Sequence, residues 1–156
     1  MEILFGENAE VVGEKMAVFG SFHGVYVPLL DSESQNYTGL VGDAYAYEGA
    51  KKLSALFHDY IYAFIANGDP NGGGRTAWAA WQTQAEENIL FLDADRTTAR
   101  AFMGKKAFSY ESVLQSIDAD DSVTSEQKQA LLAQVMSGRW FSQGLDVKYG
   151  NLCEFD

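Results

Sequence analysis

The sequence predicts an α/β fold made of one long helix, few strands and late helices, with too few strands for a complete sheet. Three features carry this reading. Leu53, Leu56, Phe57, Tyr60, Ile61, Phe64 and Ile65 form an unbroken apolar stripe at helical spacing. Ile89-Leu90-Phe91-Leu92 is a compact apolar run closed by Asp93, which reads as a strand. Near the C-terminal end, Thr124 and Gln127 have capping-box spacing. Leu131, Leu132, Val135 and Met136 then form a helical face that Gly138 stops.

In chain order, Glu2-Ile3-Leu4-Phe5 reads first, as a short apolar strand. Gly6, Glu7, Asn8 and Gly13 mark a loop, and Ala17-Val18-Phe19 is too short to type. In Gly20-Ser21-Phe22-His23-Gly24 two glycines surround a histidine, which argues for a loop with unusual dihedrals. Asp31 to Gly42 is polar and rich in turn residues. The long helix is expected from about Asp43 to Asn67, with Gly68 as its cap and Pro70 beyond it. A helix of ~20 residues is ~30 Å long and needs a large neighbour. Asp69 to Gly74 cannot continue it and reads as a turn. Trp78 and Trp81 lie in a segment of small residues, and Asp118 to Ser122 is an acidic loop. No internal repeat, low-complexity stretch or domain boundary is evident.

At 156 residues the chain has the length of one ordinary domain. Its 22 acidic residues against 11 Lys and Arg give a net charge of -11, which repels phosphate backbones and anionic lipid heads. Nucleic acid and membrane surfaces are therefore poor partners. The opening residues lack a basic region followed by an apolar stretch, so a cytoplasmic chain is expected. No apolar run has the length of a membrane-spanning helix. Cys153 is the only cysteine, so an internal disulfide is impossible and cysteine metal sites are excluded. Imidazole chemistry must use His23 or His58.

His23, on a glycine-flanked loop, could reach a nucleophile without strain as a general base. By local sequence alone, a hydrogen-bonded loop histidine is the simpler reading. His58 sits beside Asp59, off the centre of the apolar stripe, and is expected to be exposed or interfacial. Two isolated histidines cannot make a metal centre, and neither a metal nor a cofactor is predicted. Gly72 to Gly74 follows a helix and has no Lys-Ser/Thr after it, so it is a turn and not a phosphate cradle. Asp93-Ala94-Asp95 and Asp118-Ala119-Asp120 fail the calcium-loop pattern. Thr98 and Gly104, and then Val123 and Gln129, stand where the loop needs glycine and an acid. Trp78 and Trp81 could form a ligand platform, with packing as the default. No serine fits Gly-x-Ser-x-Gly, because Ser21 lies between Phe19 and His23 and Ser142 has Trp140 before it.

Several of these segments, in this order, resemble the type-B carboxylesterases, the α/β-hydrolase family of cholinesterases and bacterial esterases. Gly20-Ser21-Phe22-His23-Gly24 with Val27-Pro28-Leu29 is similar to the family's catalytic-histidine segment. Leu53 to Tyr60, Phe64 and Asn67-Gly68-Asp69-Pro70-Asn71-Gly72 resemble its late helix and Asp-Pro-Asn turn. Trp78-Ala79-Ala80-Trp81 is similar to its Trp-Pro-x-Tyr segment and Ile89-Leu90-Phe91-Leu92 to the strand after it. Cys153-Glu154-Phe155 resembles its terminal Cys-x-Phe-Trp. Tyr26 stands where the family usually has Glu or Asp, and Asp156 where it has Trp.

The resemblance implies that residues 1–156 are a single C-terminal segment of a carboxylesterase-like domain, the C-terminal part of an α/β-hydrolase fold. It makes His23 the triad base of a serine esterase, with nucleophile, acid and oxyanion hole upstream in the family's order. On this expectation the chain is inactive without its N-terminal part. Two partners are expected: that N-terminal esterase part, or a second copy meeting the exposed apolar helix face. The alternative is a non-catalytic remnant that binds or oligomerises.

Overall fold

The computed structural model describes residues 1–21, 24–34, 41–105, 110–128 and 130. The chain forms two compact units, residues 1–106 and residues 107–156.

The first unit is mixed α/β around a three-stranded sheet in the order β1-β2-β3. The strands are β1 (Glu2–Ile3), β2 (Ile89–Ala94) and β3 (Ala99–Gly104). β1 runs parallel to β2, with Glu2 opposite Phe91 and Ile3 opposite Leu92. β2 and β3 form an antiparallel hairpin that pairs Ile89 with Gly104 and Ala94 with Ala99. Leu90, Leu92 and Ala94 point into the core. On the opposite face Phe91 stacks on Phe102, with centroids 5.4 Å apart. Gly104 makes this stacking possible, since a Cβ there would stand 2.7 Å from the Phe91 ring.

Asp95 closes the hairpin. Its Oδ1 accepts from the Thr97 and Thr98 amides at 2.7 Å each, and its Oδ2 accepts from Thr98 Oγ1 at 2.7 Å. An aspartate that satisfies the amides two and three residues on is what sets this turn. The sequence gives no sign of β3. Asp93, read as closing the strand, lies inside β2 opposite Arg100, and the two form a 2.7 Å ion pair.

The first expected strand is shorter than predicted. Only Glu2–Ile3 pair, and Leu4–Glu7 coil into a 3-10 turn. Gly6 explains the bend, because the chain passes so close to Gly20 that a Cβ would lie 2.6 Å from its carbonyl oxygen. The expected loop beyond it holds two one-turn helices, α1 (Ala9–Val12) and α2 (Glu14–Ala17). Asn8 caps α1 by accepting from the Glu10 amide, and Gly13, at φ 83°, separates the two. Helix α3 (Val27–Leu30) carries Pro28 in its first turn, where proline's missing amide does no harm.

The long helix α4 is Glu48–Asn67, five residues later in its start than expected. Ala44–Ala46 form a separate 3-10 turn, and Tyr47, extended at ψ 150°, divides the two. The C-terminal end matches the sequence, with Gly68 left-handed at φ 71° and its amide bonded to the Phe64 carbonyl. Leu53, Phe57 and Tyr60 are buried against the sheet, with Ile3, Phe5, Leu29, Leu90 and Leu92. The stripe is not covered to its end, for Phe64 is 58% and Ile65 75% exposed.

In the second unit the described residues include an unpredicted helix, α5 (Tyr110–Ala119). It takes up the start of the expected acidic loop. The next helix begins as the sequence suggests: Gln127 N donates to Thr124 Oγ1, and Thr124 N donates to Gln127 Oε1 at 2.8 Å. The face of Leu131, Leu132, Val135 and Met136, and the Cys153-Glu154-Phe155 segment, lie outside the described residues. Among the described residues, no helix is long and apolar enough to cross a membrane.

Candidate functional site

The predicted base, His23, and its neighbour Phe22 lie outside the described residues. The chain on either side of them is firmly held. On one side, Gly20 is left-handed at φ 59°. The single hydroxyl proton of Ser21 faces two acceptors, the Ile3 carbonyl at 2.7 Å and Glu7 Oε1 at 3.0 Å. On the other side, Val25 is buried and its carbonyl accepts from the Tyr45 hydroxyl at 2.9 Å. Ser21 is thus tied to the β1 edge and Val25 to the 3-10 turn preceding α4.

His58 is exposed on α4, as its position beside the stripe suggests. The glycine turn uses its freedom: Gly72, Gly73 and Gly74 all have positive φ, and the Gly72 carbonyl accepts from the Arg75 amide. Among the described residues, no group of three or more His, Cys, Asp or Glu side chains could hold a metal ion. The Asp95 oxygens are occupied by the threonines of its turn, and Asp120 accepts from the Ser122 amide at 2.9 Å.

A second region is complete within the described residues. The turn after α4 folds back along the helix and leaves a groove of about 550 Å³, which Tyr60, Phe64, Asp69, Pro70, Trp78 and Trp81 help to line. Asn71 builds it. Its Oδ1 accepts from the Trp78 amide at 2.6 Å and its Nδ2 donates to the Trp78 carbonyl at 3.2 Å, a two-point clasp across seven residues. Asp69 holds Asn71 in turn, accepting from its amide and its Nδ2 at 2.9 Å each. Tyr60 donates to the Thr76 carbonyl at 2.6 Å and meets Trp78 edge-on at 6.3 Å. Arg75 also lies over the Tyr60 ring, its guanidinium 5.3 Å from the centroid and 3.8 Å from Asp59. Burial pushes the Tyr60 phenol above its ordinary pKa, and Arg75 pulls the other way. Trp81 is 66% exposed at the rim.

The sequence marks Trp78 and Trp81 as a candidate platform with packing as the default, and Trp78 does pack partly against the core. Their union with Tyr60 and Asp69 is not visible in the sequence, because it depends on the Asn71 clasp, whose signal is only an Asx-type residue after proline. No family model matches the chain, and no match is found among curated proteins or solved structures.

Proposed function

We propose that the chain acts as the C-terminal part of a carboxylic ester hydrolase of the type-B carboxylesterase kind, in which His23 is the base of the triad. The observation that carries the reading is the order of its segments: the glycine-flanked histidine, the long helix with its Gly-Asp-Pro-Asn turn, the paired tryptophans and the strand after them. The anchoring of Ser21 and Val25 on either side of the histidine supports it, since a general base needs a held backbone. In this reading His23 takes the proton from a serine on the N-terminal part and returns it to the leaving alkoxide. The oxyanion donors and the acid also belong to that part, so the chain alone lacks most of the transition-state stabilisation.

The test is complementation. The chain, combined with an N-terminal part carrying Gly-x-Ser-x-Gly, is expected to hydrolyse p-nitrophenyl esters, and His23→Ala is expected to lower the rate by ~10⁴-fold or more. Hydrolysis unchanged by His23→Ala would sink the mechanism.

The exposed apolar residues Tyr62, Phe64 and Ile65 of α4 favour a second reading, a non-catalytic remnant that binds or oligomerises. A single cooperatively melting species without any partner, in chromatography with light scattering, would favour it over the first.

A further inference from the structure

We propose that the groove between the C-terminal end of α4 and the Trp78–Trp81 segment binds a small amphiphilic amine, its apolar body against Tyr60, Phe64, Trp78 and Trp81 and its ammonium at Asp69. The inference stands apart from the esterase reading, since it uses neither His23 nor its loop. A volume of about 550 Å³ is that of a small-molecule site. Its lining is apolar and aromatic, and Asp69 is the one side chain on it that is charged at neutral pH. Among the described residues, only Oδ1 of that carboxylate is engaged, by Asn71. Arg75, the nearest cationic side chain in sequence, is paired with Asp59 instead. Met1 also borders the groove.

Complementarity of charge follows from these contacts. An anionic ligand would meet the Asp69 carboxylate. A neutral apolar ligand would strip water from Asp69 and return nothing. An amine with an apolar body satisfies both parts: its ammonium meets the Asp69 carboxylate and its body the aromatic lining. The net charge of -11 raises the local concentration of cations.

The groove holds two of the three tryptophans of the chain, so indole fluorescence reports on it. The experiment titrates the full chain with phenylbutylamine, phenylbutanol and phenylbutyrate, which share one body and differ in charge. The amine is expected to bind about tenfold more tightly than the alcohol, the acid least, and the amine's advantage to shrink with added salt. Asp69→Asn keeps an oxygen that can accept from the Asn71 amide, so the turn survives. It should bring amine and alcohol to similar affinity. Trp81→Ala, at an exposed rim position, should weaken both while the circular dichroism is unchanged. Equal affinity for amine and alcohol, tightest binding of the acid, an amine preference that survives Asp69→Asn, or no saturable binding would overturn the proposal. So would a concentration-dependent dimer abolished by Trp81→Ala, which would make a second copy the occupant.

Discussion

Asp95 closes the β2–β3 hairpin with a single carboxylate, and that carboxylate is exposed to solvent. The backbone bond from Thr97, then the side-chain and backbone bonds from Thr98, hold its pKa far below the ordinary 3.8. Because the folded value is depressed, the stabilisation is fully present above pH 3.8 and is lost as pH falls through the folded value. The carboxyl carbon shift of Asp95 is therefore expected to remain that of a carboxylate when the pH is taken well below 3.8. A midpoint in the ordinary carboxylate range would show that the turn bonds do not persist in solution. At this scale the sequence is partly legible. It marks Asp93 and Asp95 as outside the calcium-loop pattern through a missing glycine and acid. It does not reveal that the Asp95 oxygens are taken up by the threonines of their own turn, because that needs the turn's geometry.

At the scale of elements, a close backbone contact presses the first turn of the long helix against the hairpin turn. Gly49, in the first turn of α4, donates to the Arg96 carbonyl at 3.1 Å, and a Cβ on it would stand 1.9 Å from the Asp95 carbonyl oxygen. In an open helix, Gly→Ala would stabilise by about 1 kcal/mol. Here the clash is with backbone, which cannot swing aside, and overpacking of this kind costs about 1–3 kcal/mol or more. Gly49→Ala is therefore expected to lower the denaturation midpoint, and a rise would show that helix and turn are not pressed together. The existence of α4 is plain from its stripe, because periodicity reports which residues share a face. Periodicity does not report how far a neighbour extends along that face. Hence Leu53 and Phe57 are buried, while Phe64 and Ile65 of the same stripe stand in the open. β3 escapes the sequence for another reason. Its small residues, Ala99 and Ala101, carry little apolar signal, and Arg100 is there to meet Asp93 across the hairpin. The groove lies beyond such reading altogether, since its walls come from two stretches that only the folded turn brings together.

For the molecule as a whole, charge is spread over both units: 14 acidic residues against 8 basic in residues 1–106, and 8 against 3 in residues 107–156. Neither unit offers a partner an excess of positive charge. This agrees with an amine in the groove and with apolar, uncharged contact on the outer side of α4. The mixed sheet has a further consequence, and it concerns time. β2 and β3 are neighbours in sequence, but Glu2 of β1 pairs with Phe91, across nearly the whole first unit. Closing so long a loop is entropically slow, whereas the hairpin and α4 can form from local contacts. Ile3→Ala should therefore speed unfolding and leave the folding rate nearly unchanged, while Leu90→Ala slows folding. Equal slowing by both in stopped-flow chevrons would refute this order of events. β1 then docks last, and the Ile3 carbonyl that holds Ser21 comes with it. The first strand is the final one to find its place, and the hydrogen bond of Ser21 waits for it.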